Sequence, residues 1–195
     1  MLFPQKFLPE DYFPAAVLML FWPEPDDRIK LALTQRSDTL PTHQGQVSFP
    51  GGKQSPQDET LIETALRETR EELGISTDAI TIMGRLDDAW SSYGHLVVPC
   101  VGWTDERPQF NPDTREVARV IIADIQMLMS PDASTTHTFQ RDGLTRVTHA
   151  FRWNDGYVWG MTADILLELF LWLNGESSNR GDIRLANMKQ QLGLK

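Results

Sequence analysis

A chain of 195 residues, 41% of them hydrophobic and 23% charged, has the make-up of one globular domain, expected over 1–195 with a sizeable core. Its 27 acidic and 18 basic residues leave a net charge of −9, which opposes non-specific attraction to nucleic acid or to an anionic membrane surface. The single cysteine, Cys100, excludes an internal disulfide framework and a Cys-rich zinc site, so a reducing, cytoplasmic setting is expected.

Lys6 is followed by Pro9, Glu10 and Asp11 with no small-residue cleavage pattern, so no secretory leader is expected. Residues 15–21 and 29–34 are apolar runs separated by Pro23, Glu24, Pro25, Asp26 and Asp27, which predicts two strands joined by a turn. Residues 47–49 predict another strand piece, stopped by Pro50 and the Gly51–Gly52 pair. A helix comes next: Ser55 before Pro56, with Asp58 three residues on, predicts its N-cap, and Gly74 predicts its stop. Runs at 79–83, 96–101 and 147–153 predict strands. Residues 115–129 and about 162–174 predict helices, the second capped by Thr162 and leaving a short tail. The most apolar stretch, 165–173, contains Glu168 and is too short to span a bilayer. Strands alternating with helices predict an α/β fold, a mixed sheet with helices on both faces, and no repeat or long linker marks a second domain.

The helix ending at Gly74 carries the chemistry. On a wheel of about 100° per residue, Leu61, Ile62, Ala65, Leu66, Thr69 and Leu73 fall within an arc of roughly 140°, the expected core face. Glu72 lies near the edge of that arc, Glu68 about 20° outside it and Glu71 one step further round. A charge run on a helix is ordinarily a solvated face, and here Glu63 and Arg70 fill the solvent side. Like charges at i, i+3 and i+4 weaken a helix by a few tenths of a kcal/mol per pair, roughly, and a cation removes that penalty. Glu68 and Glu72, four residues apart, can reach one hard metal ion, and Glu71 can hold a second ion or a metal-bound water. Thr69 interrupts the apolar face, and its hydroxyl is expected to bond back to the carbonyl of Ala65.

The order Gly52, Glu59, Arg67-Glu68, Glu71-Glu72, Gly74-Ile75 resembles the Nudix box, placed at about 52–75. That resemblance implies a Nudix-type α/β/α sandwich and a hydrolase that cuts a diphosphate linkage. It implies Mg²⁺ or Mn²⁺ held by Glu68, Glu71 and Glu72, with a backbone carbonyl from Gly52, while Arg67 and Glu59 hold the ligand geometry. Gly52 stands one residue further from Glu59 than the general pattern has it, an insertion assigned to the 53–57 loop. The catalytic set it implies is Glu71, Glu72 and Arg67, and Glu116 and Glu71 are the candidates for general base.

Upstream, Leu33-Thr34-Gln35-Arg36-Ser37, then Gly45, then Phe49-Pro50-Gly51-Gly52 looks like the extra signature of the coenzyme A diphosphatase branch of that family. Thr64-Ala65-Leu66-Arg67-Glu68 and Trp159-Gly160-Met161-Thr162-Ala163 also fit it. Ala32 and Pro41 stand where the signature has a leucine and an arginine. An arginine makes charge-assisted bonds to phosphate that Pro41 cannot, which leaves Arg36, His43 and Lys53 as candidate phosphate contacts. Ser37 is a candidate for substrate contact or for turn formation. Tyr93 and His95, in the loop after Trp90, are candidates for the substrate rim. The resemblance implies cleavage of coenzyme A or its derivatives to 3′,5′-ADP and 4′-phosphopantetheine. ADP-ribose, nucleotide sugars and dinucleotides are alternatives of the same chemistry, and a nucleotide-sensing module without turnover is an alternative of another class. The expected partner is a small nucleotide diphosphate, neither nucleic acid nor membrane, for a monomer or homodimer.

Overall fold

A computed structural model describes residues 12–91, 94–154 and 156–175 of the chain. The first predicted hairpin is present: β1 (Phe13–Pro23) and β2 (Ile29–Arg36) pair antiparallel, with Phe21 opposite Leu31. β1 is the centre of the sheet. It pairs in parallel with β7 (His95–Trp103) from Phe13 opposite His95 to Phe21 opposite Trp103. β3 (Val47–Ser48) and β8 (Val117–Asp124) pair with β2, β4 (Gly51–Lys53) with β1, and β5 (Thr81–Arg85) and β6 (Ala89–Trp90) with β7. The β1–β7 pair is parallel and the others are antiparallel, which makes this eight-stranded sheet mixed.

Successive side chains of a strand point to opposite faces, and β1 uses that alternation to serve two cores. Ala16, Leu18, Leu20 and Trp22 pack under α1 (Leu61–Leu73) with its Ala65 and Leu73. Met19 and Phe21 pack on the other face under α2 (Ile125–Leu128) and α3 (Met161–Leu173), meeting Leu128, Ile165, Leu166 and Leu169. The expected α/β/α sandwich therefore forms, and each fully buried Leu or Phe contributes about 1.5–3 kcal/mol. No helix among the described residues is long and apolar enough to cross a membrane.

Four local expectations are corrected. Residues 115–129 are not one helix: β8 takes most of them, and only Ile125–Leu128 is helical. Val117, Val120, Ile121 and Ile122 are β-branched, and β2 offers them a paired edge from Lys30 opposite Asp124 to Arg36 opposite Val117. The helix α1 starts at Thr60 rather than Ser55. The Thr60 hydroxyl accepts the Glu63 N–H at 3.2 Å and the Glu63 carboxylate accepts the Thr60 N–H at 3.1 Å, a complete capping box. Ser55 and Asp58 close a turn instead, the Ser55 N–H donating to the Asp58 carboxylate at 2.8 Å. The helix α3 begins after Gly160, at φ 69° and ψ −146°, which places Thr162 in the first turn rather than at the cap. In α1, Ile62 is 39% exposed whereas Thr64 is buried, so the covered arc is rotated towards Glu68 and Glu72. Thr69 does bond to the Ala65 carbonyl, at 2.7 Å.

A second sheet went largely unread in the sequence. β9 (Ser134–Arg141), β10 (Leu144–Trp153) and β11 (Gly156–Trp159) form an antiparallel three-stranded sheet in the order β11-β10-β9. Its Phe151, Trp153 and Val158 join the core beneath α3. On α3, Glu168 accepts the Asp87 N–H at 3.0 Å and ties the helix to the loop between β5 and β6. Burial pushes the Glu168 pKa from 4.5 up to about 7, helped by the charges of Asp87 and Asp88 and opposed by that N–H.

A carboxylate pKa raised on folding means that the folded protein holds the proton more tightly than the unfolded chain does. The resulting stabilisation is full below about pH 4.5 and is lost as pH rises through about 7. Glu168→Gln keeps an acceptor for the Asp87 N–H and removes the titration. Thermal melts between about pH 4.5 and 8 should then decline less steeply for the variant than for the parent; equal slopes would refute the assignment.

Candidate active site on the carboxylate helix

The glycine pair decides how closely sheet and helix approach. In register, Gly51 faces Val17 and Gly52 faces Ala16 on β1. A Cβ on Gly51, whose φ is 154°, would strike the Ala16 carbonyl and Val17 backbone, so only glycine fits there. A Cβ on Gly52 would lie 2.5 Å from the carboxyl carbon of Glu68 and 2.6 Å from each of its oxygens. The missing side chains thus make room for two glutamates of α1: Glu68 over Gly52, and Glu72 accepting the Gly51 N–H at 3.3 Å.

Burial sets the electrostatics. Glu72 is 5% exposed, and desolvation pushes its pKa up to about 8; the Gly51 N–H and Arg36 pull it down, while Glu68 and Glu116 push it further up. Burial also raises the Glu68 pKa, against the pull of Arg67. Carboxylates gathered in a desolvated place, with oxygen as the only donor atom, suit a hard divalent cation. Among the described residues, no three acidic, histidine or cysteine side chains already converge as a cage. Glu71 explains this: it is exposed, and its carboxylate is drawn 3.0 Å from Nη1 of Arg67.

Arg67 organises the surroundings. Nε and Nη2 each donate to Asp58 at 2.9 Å, Nη2 donates to the Lys53 carbonyl at 3.0 Å, and Nη1 donates to Glu68 at 2.8 Å. The guanidinium holds the Asp58 carboxyl well below the usual carboxylate range, and Asp58 in turn raises the arginine. The partner of Arg67 is thus Asp58 and not Glu59, which is exposed and engages its backbone N–H with Glu63 at 2.6 Å. The 53–57 stretch, to which the extra residue is assigned, contains the start of the turn that Ser55 and Asp58 close. Asp58 went unnoticed as a site residue, although Thr60 and Glu63 spell the capping box that leaves it free for Arg67.

The remaining predicted residues fall into two groups. Arg36 and Glu116 come to the carboxylates. Arg36 sits at a register shift in β2, its Nε is buried with no hydrogen-bond partner among the described residues, and its charge reaches Glu72. Glu116 lies just before β8, its carbonyl accepting the Ser37 N–H at 2.8 Å, and its charge reaches Glu68 and Glu72. Ser37 is buried with its hydroxyl 2.8 Å from that of Thr39, the bonding of a turn former. His43 lies on an exposed loop at φ 59°, its Nδ1 2.8 Å from Gln46. Lys53 and His95 meet at the start of β1, Nζ 5.7 Å and the imidazole 5.8 Å from the Phe13 ring centre. Tyr93 lies outside the described residues. The buried Cys100 thiol is pushed up to about 12 by desolvation and stays protonated.

Comparison with known proteins bears on the family and the fold. The NUDIX domain family profile matches residues 12–145. A Yersinia enterocolitica protein named uncharacterized Nudix hydrolase NudL is 37% identical over 152 residues, 78% of this chain and 76% of its own. A Yersinia pestis protein of the same name is 36% identical over 157 residues, 80% and 77% of the two chains. In fold, the chain is similar to a MutT/nudix family protein from Enterococcus faecalis, with TM-score 0.53, 17% identity and coverage of 99% and 71%. It is also similar to RenU, a Nudix hydrolase from M. smegmatis, with TM-score 0.51, 19% identity and coverage of 60% and 73%. Fold and matches define the class, a diphosphate-cleaving enzyme of the kind that generally uses divalent metal ions. The chain belongs to the Nudix family.

Gly52→Ala should displace the Glu68 carboxylate, because the clash falls on the end of a flexible side chain. Turnover should fall by at least about tenfold while the melting temperature changes little. A fully active Gly52→Ala enzyme would show that the position of Glu68 is irrelevant.

Proposed function

We propose that this Nudix hydrolase cleaves the diphosphate of coenzyme A or a derivative to 3′,5′-ADP and 4′-phosphopantetheine, using Mg²⁺ or Mn²⁺. One observation carries the reading: two pieces of the coenzyme-A-like signature, Arg36 and Gly51–Gly52, come to the box glutamates, with Gly51 bonded to Glu72, Gly52 under Glu68 and Arg36 in the field of Glu72. Signature and box thus act on one place. We take the whole chain as one cytoplasmic domain.

In this reading Glu68, Glu71 and Glu72, with the Gly52 carbonyl, hold the ions. A bound divalent ion would neutralise the diphosphate and lower the pKa of a coordinated water. The chain's own groups do the rest. Arg67 fixes Glu68 and clamps the 53–58 loop onto α1. Arg36 has an unpartnered Nε to offer a phosphate oxygen, the kind of contact that Pro41 cannot make. His43, Lys53 and His95 form the outer contacts. Of the two base candidates, Glu71 is engaged by Arg67, whereas Glu116 sends its charge to both Glu68 and Glu72, so Glu116 is the base we favour.

Coenzyme A, acyl-CoA, ADP-ribose, NADH and a nucleotide sugar, each offered with Mg²⁺ or Mn²⁺ and resolved by chromatography, test the branch. Turnover of coenzyme A and its derivatives is expected; turnover of ADP-ribose without coenzyme A would leave a Nudix hydrolase of another branch. Glu72→Gln should lower kcat by roughly a thousandfold or more without loss of folding, and an active variant would mean that the ions bind elsewhere.

A further inference from the structure

One face of the three-stranded sheet belongs to neither core. Phe151, Trp153 and Val158 point inward, and alternation sends their neighbours outward. The outward face carries His137 and Phe139 from β9 and Tyr157 and Trp159 from β11. His137 stacks on Trp159 with ring centres 4.1 Å apart, Phe139 is tilted against Trp159 at 5.5 Å, and the His137 Nδ1 lies 2.9 Å from the Tyr157 hydroxyl. Phe139 and Trp159 join neither core cluster, and the four rings are half-buried against one another.

Two cations share that face. Arg146 is directly opposite Phe139 and Arg152 directly opposite Tyr157, and paired residues point the same way. Both arginines are exposed. The Arg152 guanidinium lies 4.5 Å from the Tyr157 ring centre, and Arg146 makes no ion pair with a described residue. On a chain of net charge −9, a patch of stacked rings flanked by two exposed arginines is complementary to a planar anion. The sheet that carries it is joined to the site's strands: β11 packs beside β3, which precedes the Gly51–Gly52 pair in the chain.

We propose that this face is the subsite for the purine nucleotide half of the substrate, the base stacking on the ring cluster while Arg146 and Arg152 take its phosphates. The inference rests on the diphosphatase reading, in which the bond cut at α1 leaves an adenosine bisphosphate to be held to one side. Rings supply sequence-blind stacking to any purine, and guanidinium groups supply bidentate bonds to a phosphate. A nucleic-acid strand would draw on the same chemistry but meets the net negative charge of the whole chain.

Calorimetric titration of the full chain with 3′,5′-ADP in EDTA tests the subsite without turnover. The parent should bind, and Arg146→Ala/Arg152→Ala should weaken binding by at least about tenfold while leaving 4′-phosphopantetheine unaffected. In coenzyme A hydrolysis the same variant should raise KM by a similar factor and keep kcat within about twofold. No binding by the parent, equal affinity of parent and variant, or a dimer of the parent that the substitutions dissociate would each overturn the proposal, the last by assigning the face to a second copy. Because both arginines are exposed, the variant is expected to melt with the parent. A parent inert towards coenzyme A that still binds 3′,5′-ADP through these arginines would instead mark failure of the coenzyme A reading.

Discussion

Two carboxylates of α1 lie against a strand that has no side chains to hold them off, and the arrangement of the site follows from that contact. Gly51 and Gly52 let β4 approach so closely that a methyl group on Gly52 would occupy the place of the Glu68 carboxylate. The same approach removes water from Glu72 and leaves it one backbone N–H at 3.3 Å. Buried charge of one sign is costly unless something neutralises it. In the proposed reading a divalent cation would offset that cost at the edge of α1 that is covered.

The position of α1 is held from two sides. Beneath it, β1 sends Ala16, Leu18, Leu20 and Trp22 to meet Ala65 and Leu73, so the helix rests on an apolar floor. Beside it, Arg67 spans Asp58, the Lys53 carbonyl, Glu68 and Glu71, and ties the 53–58 loop to the helix as a wall of the site. The largely desolvated Arg67–Asp58 pair is worth more than a surface ion pair because its bonds are bidentate and shielded from water. The capping box at Thr60 separates the two tasks: Glu63 serves the helix start, and Asp58 is left to the arginine.

How much of this was legible in the residues varies with the range of the interaction that decides each part. The hairpin of β1 and β2, the strand near Leu96 and the helix ending at Gly74 carried strong local signals, as did the bond from Thr69 to Ala65. Glu68, Glu71 and Glu72 could be named from spacing, because i, i+3 and i+4 share a helix face. Residues 115–129 misled, since an apolar run with β-branched residues suits a buried helix or a strand until an edge such as β2 is known. Two of the three strands of the outlying sheet carry no clear signal, β9 because it is polar and exposed and becomes a strand only by pairing with β10.

By itself, the order of residues determined the family, the α/β class and the glutamates that face one another, because all three rest on local periodicity and on fixed short spacings. Tertiary structure alone decided that Asp58 rather than Glu59 meets Arg67, that Glu71 is exposed and paired with Arg67 while Glu72 is buried, and that Arg36 and Glu116, 80 positions apart in the chain, bring charge to the same carboxylate. Those outcomes depend on which strands lie side by side and how closely glycines let them approach, and no local pattern encodes a distance between segments that meet only when the sheet closes.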